Sequence, residues 1–260
     1  MPAQDWPEIT SKETPHEFSI NAITMQRLFE KTAFAISTEE TRYYLNGIYF
    51  HLDSDEQGKR LKAVATDGHR LSLISAAAPK ELGEMPGIII PRKTVIELSR
   101  LIADAPEDVL IQLSETFIIF NIGDTVLSSK VIDGTYPDYK RVIPTQSAAV
   151  AGLDKKAAIE AVARVSTISS ERGRAVKFGF EKGKLALSVT NPDMGDAADE
   201  IEADYDFTTI EIGFNSAYVQ ECLSTIDGES FCMRLTDPGA PCIITCDDPD
   251  RLMVIMPMRV

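Results

Sequence analysis

Three histidines, four cysteines and one acidic run are the residues here whose types and spacing could do chemistry. His69 stands in Ala65-Thr66-Asp67-Gly68-His69-Arg70-Leu71, where an Asp-x-His pair could ligate a metal or carry acid–base work. No second histidine and no Glu-rich helix supplies further ligands, so the segment reads as a turn with a recognition surface. His16 lies in a polar N-terminal stretch and His51 alternates with apolar neighbours at a strand end; both read as exposed polar residues. Cys222, Cys232, Cys242 and Cys246 follow one another at spacings of 10, 10 and 4, which match no zinc ribbon or redox pair. Cys242 and Cys246 share strand parity, which leaves a weak metal or disulfide pair open; buried or half-buried free thiols in a reducing compartment are the expectation. The run Asp193-Met194-Gly195-Asp196-Ala197-Ala198-Asp199-Glu200 lacks the acid-x-acid-x-acid rhythm and closing Glu of a calcium loop, and reads as a solvated loop between strands. Neither a phosphate-cradling glycine loop nor a Gly-x-Ser-x-Gly elbow occurs. The sequence is short of catalysts: neither a catalytic residue nor a cofactor nor a metal site is expected.

The elements that would position these residues begin with a chain of 260 residues, room for one large domain or two of about 130. A hydrophobic fraction of 44% and a charged fraction of 25% are those of an ordinary soluble globular protein. No apolar run approaches the ~18–20 residues that span a bilayer. Met1-Pro2-Ala3-Gln4-Asp5-Trp6 has no basic region leading into an apolar core, so no signal peptide is read and a cytoplasmic location is expected. The formal charge of −14 argues against indiscriminate nucleic-acid binding, unless basic residues gather on one face.

Residues 1–17 read as an N-terminal arm. Met25, Leu28, Phe29 and Thr32 at 3-and-4 spacing predict a helix over 24–35. Alternation predicts strands over 44–52, 61–66 and 70–75, with Asp67-Gly68 as a hairpin turn and Asn46-Gly47 either turning or opening a strand. Ile88-Ile89-Ile90-Pro91 reads as a buried strand running into a helix over 92–103, with Val95, Ile96, Leu98, Leu101 and Ile102 inward. Strands over 109–113, 116–122 and 125–132 lead to an Asp133-Gly134 turn, and the small polar stretch 144–148 is taken as the linker. The order then recurs: a helix over 155–166, strands over 175–180 and 184–190 turned at Lys182-Gly183, a strand over 209–212, a helix over 216–225, and strands over 231–235, 241–245 and 252–256. Matching elements are offset by about 120–131 residues, which makes an internal duplication the economical reading. The expected fold class is therefore α+β, two tandem copies of one domain with helices packed against antiparallel sheets. The expected bounds are 18–144 and 145–260.

Three segments add a resemblance: Thr66-Asp67-Gly68-His69-Arg70-Leu71, Asp133-Gly134-Thr135-Tyr136-Pro137-Asp138-Tyr139-Lys140-Arg141-Val142, and Met256-Pro257-Met258-Arg259-Val260. With Arg42-Tyr43-Tyr44-Leu45-Asn46-Gly47 and Ile90-Pro91-Arg92-Lys93, they closely resemble the bacterial sliding clamp, the β subunit of DNA polymerase III, over nearly the whole chain. That family has three such DNA-clamp domains per chain, and two chains close head to tail into a ring around duplex DNA. This chain resembles the second and third domains only. The resemblance implies a non-catalytic processivity factor in DNA replication, whose full ring slides on DNA and docks polymerase, clamp-loader and repair proteins.

The resemblance also implies roles for residues. A peptide pocket would be formed by Leu45, Thr66, Gly68, His69, Arg70, Leu71, Pro137, Arg141, Val142, Asn215, Tyr218, Val254, Met256, Pro257, Met258 and Arg259. Its occupants would be short segments bearing Gln with Leu and Phe anchors, and methionine is adaptable enough to accept varied apolar anchors. Pro241 stands where the family often has a small polar residue, so the rim is expected to differ. Arg27, Lys31, Tyr43, Tyr44, Arg92 and Lys93 would face DNA in the first half, and Lys155, Lys156 and Arg164 in the second. Arg27 and Lys31 are four apart, hence on one helix face. Thr167 and Ile168 would fall on the ring interface; with the first domain absent, the expectation is a monomer, or weak association, that binds peptides without encircling DNA. The alternatives are a stand-alone peptide-binding module and a metal-dependent hydrolase using Asp67 and His69.

Overall fold

The computed structural model describes residues 14–55, 58–103, 108–170 and 174–260. Their contacts form two compact units. The first takes the described residues up to Asp67 together with Leu73–Tyr136, the second Gly68–Ser72 together with Pro137–Val260.

The first unit runs β1 (His16–Asn21), α1 (Ala22–Ala33), a 3₁₀ turn (Glu40–Leu45), β2 (Gly47–Asp55), β3 (Gly58–Thr66), β4 (Arg70–Ala77), β5 (Ile88–Pro91), α2 (Arg92–Ile102), β6 (Asp108–Leu113), β7 (Phe117–Ile122) and β8 (Thr125–Lys130). β4 is shared, its first three residues counting with the second unit. Strand order is β1-β6-β7-β8 in one sheet and β5-β2-β3-β4 in the other, with antiparallel pairs such as Ile48↔Ile90 and Tyr49↔Val64. Asn21 caps α1, its side-chain oxygen accepting from the Ile23 N–H at 3.1 Å. The helix buries Met25, Leu28, Phe29 and Thr32, the face its periodicity predicts. Phe29 meets Phe50 edge-to-face at 6.3 Å, inside a core that also takes Leu61, Leu98, Ile111 and Phe120. Burying each such side chain stabilises by roughly 1.5–3 kcal/mol.

The second unit repeats that order. A 3₁₀ turn (Tyr139–Val142) precedes β9 (Ala149–Asp154), α3 (Lys155–Ser166), β10 (Ala175–Glu181), β11 (Lys184–Asn191), β12 (Gly195–Glu202), β13 (Ile210–Asn215), α4 (Ser216–Ser224), β14 (Ser230–Leu235), β15 (Cys242–Thr245) and β16 (Arg251–Ile255). One sheet has the order β12-β11-β10-β13, and the other contains β16-β15-β14-β9. Element for element this is the first unit again: strand, helix, four strands, helix, three strands. Phe178, Phe180 and Phe214 are buried together, Phe214 meeting Phe178 edge-to-face at 5.2 Å.

Several expectations need correction. The units divide between Tyr136 and Pro137, upstream of the 144–148 stretch, because the turn anchored by buried Tyr139 belongs with the second unit. Of the N-terminal arm, residues 1–13 lie outside the described residues, while His16 and Glu17 already open β1. Tyr44 lies in a 3₁₀ turn and not in β2, and Asn46-Gly47 opens that strand instead of turning it. His51 is buried, its ring stacked on Tyr49 at 4.6 Å, and Tyr49 stacks in turn on Tyr136 at 4.8 Å. In α2 the buried face is Thr94, Val95, Leu98 and Ile102; Ile96 and Leu101 are each 39% exposed, flanking a stripe that a 3.6-residue period makes narrow.

The run 193–200 is largely β12, paired with β11 from Lys184↔Glu202 to Asn191↔Gly195. On this edge strand Asp196, Glu200 and Glu202 are exposed, while Ala197, Asp199 and Ile201 alternate with them on the half-buried face. Gly68 has φ +87°, as the Asp67-Gly68 turn demands. Gly134 has no positive φ, so it is not that kind of turn; a Cβ there would come within 3.1 Å of the Tyr44 Cβ.

Candidate functional site

Asn215 closes β13 and caps α4, its side-chain oxygen accepting from the N–H groups of Ala217 at 3.0 Å and Tyr218 at 3.3 Å. That cap fixes the first turn of α4 and with it the Tyr218 ring. His69 stacks on this ring at 5.9 Å, with planes 18° apart, and the Arg70 guanidinium lies 4.6 Å from its centroid. Arg70 is buried and donates from Nη1 to Glu221 Oε2 at 2.6 Å. The guanidinium thus meets a carboxylate at one side and an aromatic face at another, which is how a buried arginine is made tolerable. Asn215→Ala is expected to destabilise the second unit by about 1 kcal/mol and Asn215→Asp by less, a difference that urea titration of the two variants would measure.

The C-terminal tail completes the site. Beyond β16 the Met256 N–H donates to the His69 carbonyl at 2.8 Å, and the Met258 N–H donates to the Gly213 carbonyl at 2.8 Å. Met256, Pro257 and Met258 are half-buried and Arg259 is exposed, so the tail lines a surface instead of entering the core. Leu71 and Val254 are buried, which makes them floor, not rim. The fold therefore links His69, Arg70, Asn215, Tyr218 and Met256 through direct contacts within one unit, and ties Met258 to Gly213 on the same strand as Asn215. A concavity of about 720 Å³ adjoins the tail, lined by Met258 and Arg259 with Ala175, Lys177 and Gly213.

Other expected pocket residues are placed less directly. Pro137 and Val142 are exposed around the 3₁₀ turn, and Arg141 donates to Asp138 at 3.0 Å. Leu45 and Thr66 belong to the first unit, Leu45 buried and Thr66 half-buried. Pro241 is half-buried just before β15. Sequence reasoning missed Glu221 and Gly213. The three-residue spacing of Glu221 from Tyr218 on α4 was the available signal, since it sets both on one helix face.

Among the residues expected to face DNA, Arg27 and Lys31 are half-buried on α1. Arg92 and Lys93 are exposed in the first turn of α2, beside a concavity of about 480 Å³ also lined by Ser37 and Asn46. Tyr43 is 54% exposed and meets Tyr44 edge-to-face at 5.8 Å. In the second unit Lys156 is exposed, 4.0 Å from Glu160. The other two are engaged elsewhere: Lys155 donates to the Ile226 carbonyl at 2.8 Å, and Arg164 pairs with Asp199 at 2.7 Å. That pairing holds the Asp199 carboxyl below its ordinary range, the hydrogen bond from Arg164 being the main cause. Thr167 caps α3, and the Ile168 carbonyl accepts from Asn191 at 2.7 Å.

All four cysteines are free thiols, Cys222 and Cys242 buried and the other two half-buried. Burial pushes the Cys242 thiol far above its ordinary range, which leaves it protonated and inert. Among the described residues no group of three or more His, Cys, Asp or Glu is placed to hold a metal ion. Nor is any described helix long and apolar enough to cross a membrane.

The chain is similar to known proteins. The family model for the central domain of the DNA polymerase III beta subunit matches residues 19–138, and that for its C-terminal domain matches residues 140–259. A beta sliding clamp of Caulobacter vibrioides is 44% identical over 261 residues, a match covering 100% of this chain and 70% of the relative. That of Escherichia coli is 34% identical over 263 residues, with the same coverage. The crystal structure of a Bartonella birtlesii sliding clamp bound to griselimycin is similar with a TM-score of 0.96 at 45% identity, across 100% of this chain and 70% of that one. The chain belongs to the DNA polymerase III beta-subunit family, the sliding clamps that serve as polymerase processivity factors, and its two units are tandem clamp domains matching that family's central and C-terminal domains.

Proposed function

We propose that the second unit docks short extended peptides on the surface formed by His69, Arg70, Tyr218 and the tail from Met256 to Arg259. The observation that carries this reading is the tail itself. Two backbone hydrogen bonds, to His69 and Gly213, hold a tail with half-buried methionines, and His69 in turn stacks on the Tyr218 ring that the Arg70 guanidinium covers. Flexible thioethers over a fixed wall suit varied Leu and Phe anchors, and the donors nearby suit a Gln side chain. The partners would be the clamp-binding segments of polymerase subunits, clamp loader and repair proteins.

In this reading the chain has no reaction of its own and works in the cytoplasm. Arg27, Lys31, Tyr43, Tyr44, Arg92, Lys93 and Lys156 face duplex DNA in a closed ring, touching phosphates loosely enough to slide. Lys155 and Arg164 drop out of that set, because a carbonyl and a carboxylate already engage them. Thr167 and Ile168 lie at the ring interface. A hydrolase at Asp67 and His69 is not favoured, since the His69 ring is stacked on Tyr218.

Fluorescence polarization of a labelled Gln-x-x-Leu-Phe peptide tests the docking surface. Saturable binding on the order of micromolar is expected, weakened about tenfold in Met258→Ala by loss of a desolvated contact worth roughly 1–2 kcal/mol. A well-folded chain that binds no peptide, or binds equally well after the substitution, would remove the tail from the site.

A further inference from the structure

We infer that Gly213 is a positioning residue for the peptide site: its missing side chain lets the C-terminal tail lie against the outer edge of β13. The inference rests on the docking reading above, and adds to it a residue that touches no peptide. β13 is the last strand of its sheet, paired on one side with β10 through Lys177↔Gly213 and neighbouring residues. On its other side Met258 forms an antiparallel bridge with Gly213. The tail is therefore a fragment of added strand, held where an edge offers free backbone groups.

The close approach is what requires glycine. A Cβ at position 213 would lie 2.5 Å from the Met258 carbonyl oxygen and 2.5 Å from Val260 Cγ1. The first of these is backbone, so no rotamer change relieves it and the tail itself has to move. Gly213 does not have a positive φ, so the position uses the absence of a side chain and not glycine's backbone freedom. The Val260 side chain fills the hollow instead, although the residue as a whole is 66% exposed.

The consequence for the site follows from where the tail is held. Its upstream point is the Met256 N–H on the His69 carbonyl, and its downstream point is Met258 on Gly213. Pro257 between them has a fixed φ and no N–H to satisfy, so the segment spans the two points as a stiff strap. With the downstream point lost, Met258 and Arg259 hang from a single hydrogen bond and no longer present a preformed wall. A peptide must then order the tail as it binds, which lowers affinity without removing any contact residue.

The test is an identical substitution at two glycines of one sheet in the full chain. Gly213→Ala places a methyl group under the tail. Gly179→Ala places one on β10, where the nearest atoms would be at 3.7 and 3.8 Å, ordinary contact distances. Amide hydrogen exchange at Met258, measured without peptide, is expected to speed up in Gly213→Ala and stay at the wild-type rate in Gly179→Ala. The dissociation constant of the labelled peptide is expected to rise about tenfold in the first variant only. Should Gly213→Ala be too disruptive to fold, Val260→Ala, which empties the hollow above Gly213, is expected to speed Met258 exchange in the same direction. Unchanged Met258 exchange in Gly213→Ala would overturn the inference, and so would an equal loss of peptide affinity in Gly179→Ala. Because the exchange experiment needs no peptide, a wild-type chain that fails to bind counts against the docking reading and not against the role of Gly213.

Discussion

Phe214→Ala is expected to cost the second unit about 3–5 kcal/mol, the usual range for emptying a fully buried phenylalanine site. Phe214 is 0% exposed, meets Phe178 edge-to-face at 5.2 Å, and pairs across the sheet with Val176. The cavity would open beneath the residues that build the site, since Gly213 and Asn215 flank Phe214 on β13. The substitution should therefore do two things at once. It should lower the urea midpoint of β10 and β13 amide protection, and it should weaken peptide binding although no contact residue has changed. Following individual amides matters, because a chain of two units need not unfold in one step. A cost below about 1 kcal/mol would mean that the neighbouring rings collapse into the space, and the floor of the site would then be more adaptable than its packing implies.

Arg70→Ala is the second large effect expected. The guanidinium is buried, bonded to Glu221 at 2.6 Å and stacked over Tyr218. Glu221 has a side chain 49% exposed, so after the substitution water can solvate the orphaned carboxylate, and the penalty is smaller than for a fully buried pair. Lost packing, the cation–π contact and the hydrogen bond together should amount to about 2–3 kcal/mol of stability. Peptide affinity is expected to fall further than stability alone predicts, because Tyr218 loses the guanidinium over its ring and can rotate. Arg70→Lys should recover little: an ammonium can meet Glu221, but it lacks the planar face that stacks on the ring. Calorimetric unfolding and peptide titration of both variants would decide the point. Full recovery by lysine would reduce Arg70 to a point charge.

Much of the fold was legible because it is written in short-range patterns. The buried face of α1 follows from the spacing of Met25, Leu28, Phe29 and Thr32, and α3 falls on the residues its periodicity predicts. The duplication was visible in the order of elements even with little identity between the halves. β1 escaped although Phe18 and Ile20 alternate inward, and two other missed strands have weak patterns. β9 is Ala-Val-Ala-Gly-Leu-Asp, small and of low contrast, and β12 carries mostly acidic side chains on an edge. Each is a strand because of the neighbour it pairs with, β14 for one and β11 for the other, and not because of its own propensity. Charge was equally ambiguous: nothing local distinguishes exposed Lys156 from Arg164, which reaches across to Asp199.

The peptide site divides the same way. By its motifs the sequence singled out the residues that the docking proposal uses, and by its repeat it determined the kind of domain that carries them. Only the tertiary structure decided how those residues are held. Arg70 meets Glu221 across 151 positions of chain, and the tail is fixed by the carbonyls of His69 and Gly213, far upstream of it. The physical reason is that side-chain periodicity is a local property, set by backbone geometry over a few residues. A hydrogen bond or ring contact between distant segments depends instead on where whole strands and helices come to rest, and Gly213 shows the difference: it is an unremarked glycine in the sequence and the residue under the tail in the fold.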